Sequence, residues 1–146
     1  MSMNMFFRAF TQAEIDAMEN DNSLIDQWVL EDEKYTLTTD VETAWDVLAA
    51  ILDGVGFWIG EEVDNALFNG CNLISAAEVK VNAEKLAEWT HEKIIAGMRA
   101  LGENSDLYHF EAFQDDDEYL LEQFDCLQNF YKEAAEKGLG ALSYAA

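Results

Sequence analysis

The sequence contains no proline, only two cysteines, and eight lysine and arginine side chains against thirty aspartates and glutamates. Without proline there is no polyproline segment and no stiff proline-rich linker to separate domains. The shortage of cations leaves a formal charge of −22. That charge excludes direct nucleic-acid binding, because neutralising phosphates takes clustered Lys and Arg. It repels an anionic membrane surface in the same way and steers toward basic partners instead. Cys71 and Cys126 stand far apart in sequence and match neither a metal-binding nor a redox spacing. Two buried thiols in a reducing compartment are expected in preference to a single disulfide. No apolar run approaches the length needed to span a bilayer. The opening MSMNMFFRAF lacks the basic start, apolar stretch and cleavage site of a secretory signal. A cytoplasmic location without membrane contact is therefore expected.

What remains is rich in core-forming residues. Half of the 146 residues are hydrophobic and 12% are aromatic, enough to bury one core in a single domain spanning 1–146. Met3 to Phe10 is apolar on both faces and predicts a covered or central strand. Thr11-Gln12-Ala13-Glu14, Thr39-Asp40-Val41-Glu42 and Ser75-Ala76-Ala77-Glu78 each have the form of a capping box, a hydroxyl three residues before a glutamate at a helix start. The first opens a short helix burying Ile15 and Met18, and Ser23 is expected to cap another that carries Leu24, Trp28 and Val29. After the second come Val41, Ala44, Trp45, Leu48 and Leu52 at helical spacing, with Gly54 as the stop. The third starts a helix through Leu86, and the phase slip at Trp89 and Thr90 predicts a separate helix to Leu101, closed by Gly102.

Two stretches are less regular. Val55 to Asn72 reads as the longest loop, and Leu107 to Phe113 as an aromatic linker. Leu120, Phe124, Leu127, Tyr131 and Ala134 then recur at spacings of four and three, the apolar stripe of a long final helix. Gly138 ends it, and Leu139 to Tyr144 predicts a strand beside the N-terminal one. Terminal strands with helices between them indicate an α+β class, mostly helical, with a small sheet that includes both termini.

Met1-Ser2-Met3 before an aromatic strand, DVETAWDVLAAILDG from Asp40 to Gly54, SAAEVKVNAEKL from Ser75 to Leu86, and Tyr119 to Tyr144 together resemble the YfbM family, the bacterial domain of unknown function DUF1877. The resemblance runs through nearly the whole chain, carried chiefly by the Trp45, Leu48, Leu52, Gly54 helix and the ending FYKEAAEKG. It implies a single-domain mixed α and β fold with no established activity, cofactor or catalytic residue. Some proteins of this type look like immunity partners of secreted toxins.

Candidate chemistry is sparse. His91-Glu92 opens like a zinc-protease helix, but Ile95 stands where the second histidine is needed, so a solvated helix position is expected. A nucleophilic pairing of Cys71 with His109 is conceivable on residue type alone. Glu61, Glu62 and Asp64 could form an acid–base pair, a cation site or a plain acidic loop. The run Asp115-Asp116-Asp117-Glu118 lacks the alternation and central glycine of a calcium loop. Acids at a helix start meet the macrodipole, typically for ~0.3–1 kcal/mol each. That accounts for one or two of the four and leaves the others as a docking surface. Phe57 and Trp58, beside acids in an irregular segment, are candidate exposed anchors, with burial in the core the expected alternative.

Phe57, Trp58, Glu61, Glu62, Asp64, Asp115, Asp116, Asp117 and Glu118 are thus the candidate partner-binding residues. No metal, cofactor or catalytic residue is expected. The expected function is an acidic, non-enzymatic protein that neutralises a basic partner, most plausibly as the immunity protein of a bacterial toxin. A phage-type nucleic-acid mimic and a hydrolase or transferase using Glu61, Glu62 or His109 are the alternatives.

Overall fold

The computed structural model describes residues 3–102 and 106–146. Met1 and Ser2, the start of the family resemblance, lie outside that range. The elements in chain order are β1 (Met5–Phe10), α1 (Gln12–Asn20), α2 (Leu24–Asp26), β2 (Leu37–Asp40), α3 (Trp45–Ile51), β3 (Glu61–Val63), β4 (Cys71–Ile74), α4 (Ala76–Ala87), α5 (His91–Ala100), α6 (Phe110–Gln114), α7 (Asp117–Glu136) and β5 (Gly140–Ala145). Among the described residues five strands form one antiparallel sheet in the order β2-β1-β5-β4-β3. The mostly helical α+β class and the pairing of the two terminal strands are as the sequence predicts.

Side chains alternate across a strand, and β1 uses both faces. Phe7 and Ala9 point into a core shared with α3, α4 and α7, while Phe10 joins a second cluster with Ile15, Met18, Ile25 and Val29. The sheet is therefore the middle of three layers. On the second side Arg8 lies flat among Phe6, Tyr35 and Tyr144, its guanidinium carbon 5.0–5.8 Å from the three ring centres. A cation is tolerated there because the ring faces attract it and Thr38 Oγ1 accepts one of its N–H groups.

α7 contributes more residues to the first core than any other element. Leu120, Phe124, Leu127, Tyr131 and Ala134 are all fully buried. The capping boxes at Thr11 and Ser75 form as expected, each hydroxyl accepting the N–H three residues on and each glutamate reaching back. The box at Thr39 does not form. Thr39 and Asp40 belong to β2, paired with Phe7 and Phe6, and α3 begins later, after a 3₁₀ turn from Glu42 to Ala44. Strand pairing has taken the residues that the local pattern would place at a helix cap. Ser23 makes no capping bond either; its hydroxyl donates to Asp21 Oδ1, and the helix continues as a wider π turn from Gln27 to Glu31. The aromatic linker contains α6, which buries Phe110 and Phe113. Lys93 donates to the Glu88 carbonyl and Arg99 pairs with Asp117.

One buried polar contact ties the irregular segment after α3 to the helices. Tyr131 O–H donates to the Gly56 carbonyl (2.8 Å), and Gly56 N–H donates to Asn82 Oδ1 (3.0 Å). Asn82 Nδ2 in turn donates to the Glu78 carbonyl (2.9 Å). Burial pushes the Tyr131 phenol far up, which keeps it a donor. Leaving a buried donor or acceptor unpaired costs about 1–3 kcal/mol. Tyr131→Phe and Asn82→Ala are each expected to lower unfolding free energy by that amount in urea titrations. A change below a few tenths would mean that Gly56 is not held this way.

A second interhelical bond carries a pH signature. Tyr119 on α7 donates to the Glu42 carboxylate, and that bond, with burial, pushes its phenol from 10.0 up to about 12. A folded-state value above the unfolded one means the contribution is complete below about pH 10 and is lost as pH rises toward 12. Subtracting the ultraviolet phenol titration of Tyr119→Phe from that of the parent should isolate this step. Glu42→Gln should move it down toward 10.0.

Candidate functional site

The segment between α3 and β4 is built by backbone geometry more than by periodicity. After the anchor at Gly56, Phe57 turns inward and packs edge-on against Phe7 at 5.8 Å; it is 3% exposed. Phe57 is thus a core residue and cannot serve as an exposed anchor, because the Gly56 contact aims it at the sheet. Trp58 turns outward, 53% exposed, with its backbone in the left-handed region at φ 51°. At Gly60 a Cβ would lie 2.1 Å from the Leu73 carbonyl, so only glycine lets the chain pass this close to β4.

Residues 61–74 then form a hairpin where a loop is expected from sequence. Glu61 and Glu62 are in β3, paired with Leu73 and Asn72. At its tip Leu67 N–H donates to Asp26 Oδ1 (2.8 Å), and Asn69 Nδ2 donates to the Ala145 carbonyl (3.1 Å). Between these two ties Phe68 is held outward, 76% exposed and at φ 70°. Bulky residues rarely adopt such backbone. The two most exposed large hydrophobic residues described, Trp58 and Phe68, both do.

Strand register places a polar row beside them. Phe7 pairs with Ser143, Ser143 with Asn72, and Asn72 with Glu62, so these four share one face of β1, β5, β4 and β3. The row starts in the core at Phe7, beneath Phe57 and Phe130, and turns polar toward the sheet edge. There a cavity of about 140 Å³ is lined by Trp58, Met5, Glu62, Asn69, Asn72 and Ser143. Among the described residues the side chains of Ser143, Asn72 and Glu62 make no hydrogen bond within the protein, although Ser143 is only 4% exposed. These groups are not sealed from solvent: Glu62 is exposed, and Arg8 Nε alone among the described residues is a buried side-chain nitrogen or oxygen without a partner. Here a hydroxyl, an amide and a carboxylate converge with their bonding capacity unspent.

The other candidates are dispersed. Glu61 falls in the opposite register row, with Leu73, Leu142 and Arg8, and faces the α1 side. From there its charge helps push the Glu19 carboxyl up, behind burial and Asp16. Asp64 is exposed in the hairpin turn. Asp115 to Glu118 line a separate cavity of about 630 Å³ with Arg99 and Phe110. Asp116 caps α7 by accepting from Tyr119 N–H (3.1 Å), and Asp117 meets Arg99 at 3.3 Å. Half of that run is therefore occupied by local structure. A groove of about 520 Å³ between α4 and α7, lined by Lys80, Ala83, Ala87 and Lys132, contains none of the predicted residues.

The histidines and cysteines also separate. His91 Nε2 lies 2.7 Å from Asp125 Oδ1 at a half-exposed position, and His109 stacks on Tyr108 at 4.3 Å. Cys71 sits with Val63, Leu67 and Tyr144 in the second core, where burial pushes its thiol up to about 12, far from thiolate chemistry at neutral pH. Cys126 is exposed, so only one of the two expected buried thiols is buried. Among the described residues no group of three His, Cys, Asp or Glu side chains is arranged to hold a metal, and no helix is long and apolar enough to cross a membrane.

Sequence reasoning reached Trp58 and Glu62 and missed Phe68, Asn69, Asn72 and Ser143. Single polar residues inside apolar strands at Asn72 and Ser143 were the available signal. Their meeting depends on register between distant strands.

This three-layer α+β fold has relatives. The chain belongs to the DUF1877 family, a domain of unknown function, whose model matches residues 1–144. The crystal structure of YfbM from Escherichia coli, a protein of unknown function, superposes with a TM-score of 0.67 at 13% identity, over 98% of this chain and 99% of that one. At that identity the likeness shows a shared fold. Comparison with curated proteins returns no match.

The two thiols offer a direct check on this geometry. A water-soluble disulfide reagent should modify Cys126 promptly in the native protein and Cys71 only after denaturant is added. Equal rates at the two would contradict the burial of β4.

Proposed function

We propose that this chain is a non-catalytic binding protein that captures a basic protein partner. The observation that carries the reading is the pairing of Trp58 and Phe68, two exposed aromatics on left-handed backbone, with the acidic residues Glu61, Glu62 and Asp64 in the same segment. Holding bulky residues in that backbone region costs of order 1–3 kcal/mol each, and such outliers cluster at ligand clamps. Exposed aromatic anchors in an acidic field suit a partner with a basic, partly apolar surface. A charge of −22 draws such a partner in and repels nucleic acid. A toxin with a cationic active site or nucleic-acid groove is a partner of this kind, and blocking it, as an immunity protein does, requires no turnover.

The test is to isolate the basic protein retained by the immobilised chain and to measure association by stopped flow. The association rate should fall about tenfold or more between low and physiological salt, as electrostatic steering requires. Glu61→Lys with Asp64→Lys should slow it further, and Phe68→Ala should speed dissociation. A salt-independent rate would sink the proposal. Competition by duplex DNA for the same partner would shift the reading to mimicry of nucleic acid.

A further inference from the structure

Resting on that reading, we infer that the cavity under Trp58 is the seat for one arginine side chain of the partner. Ser143, Asn72 and Glu62 present a hydroxyl, an amide and a carboxylate from three neighbouring strands, none of them bonded within the protein. An anion would meet Glu62 and the field of the whole chain. An apolar group would strand the three polar side chains in a closed interface, which costs free energy. A cation with several N–H groups satisfies them.

Guanidinium fits this arrangement better than ammonium. It is flat, so it can lie against the Trp58 ring while its fork of N–H groups spans acceptors on strands roughly 4.8 Å apart. The cavity of about 140 Å³ is of a size for one side-chain head. Asn69 already donates through Nδ2 to Ala145, which leaves its carbonyl oxygen as a further acceptor at the rim. Phe68, one residue earlier and 76% exposed, extends the contact beyond the cavity, as a protein partner needs and a free amino acid does not.

The experiment titrates the full chain with Nα-acetylarginine amide at physiological salt and follows proton–nitrogen correlation spectra. Saturable shifts at the Trp58 indole, the Asn72 side-chain amide and the Ser143 backbone are expected, with none from the uncharged isostere Nα-acetylcitrulline amide. Glu62→Gln, an exposed position outside the core, should weaken binding about tenfold, the loss of one charge-assisted contact. Shifts spread evenly over the acidic surface, equal binding of the citrulline compound, or an unchanged Glu62→Gln would overturn the assignment. A short peptide with a central arginine should bind at least as tightly as the amide; a marked preference for free arginine would overturn the protein source. If the probe seats but the immobilised chain retains no basic protein, the cavity assignment stands and the partner reading falls. If a basic protein is retained equally by Glu62→Gln and the probe gives no shifts, the reverse holds.

Discussion

The buried contact among Tyr131, Gly56 and Asn82 carries the architecture on which the candidate site depends. Two helices that pack over the same sheet face, α4 and α7, close on one residue, Gly56, each through a side chain that would otherwise be a buried polar liability. With Gly56 fixed, Phe57 must enter the core and Trp58 must leave it. The outward tryptophan is therefore set by a tyrosine far along the chain, and its ring is steadied by Phe57 at 5.7 Å and Trp45 at 6.2 Å. Rigid support of this kind is what an exposed anchor needs in order to bind without a further loss of conformational freedom.

Electrostatics sets the second constraint. Self-repulsion at −22 destabilises the compact state, and the fold does little to relieve it. Arg8 lies among aromatic rings, Lys93 bonds to a backbone carbonyl, and Arg99 and Lys137 pair at exposed positions where such contacts contribute little. The acids near the sheet edge, Glu62 and Asp64, are left without a cation among the described residues. A surface kept uncompensated in this way is costly as scaffold; on the proposed reading, that cost serves the attraction of a basic protein.

Local signals in the sequence are legible where the physics is local. The boxes at Thr11 and Ser75 need only residues three apart, and the Leu120 to Ala134 stripe needs only helical period, so both were legible. The same pattern at Thr39 failed because a longer-range bond, the pairing of β2 with β1, competes for those residues. Glu61 and Glu62 were read as loop because β3 has three residues, too few for alternation to show. The candidate site was half legible: aromatics beside acids pointed to Trp58 and Glu62, and to Phe57, which packing then claimed for the core.

Composition and periodicity alone determined the α+β class, the terminal strands and the acidic field, because each follows from residue type or from neighbours within one or two turns; the one core they predict is divided by the sheet into two clusters. Tertiary structure decided which side chains meet. Ser143 and Asn72 are unremarkable polar residues in apolar strands until β5 and β4 align, and Glu62 joins them only through a second register. One step of slippage in any one of these strands would send its member to the opposite face, since side chains alternate with period two. The cavity thus exists only in the folded sheet, and no segment of the chain encodes it by itself.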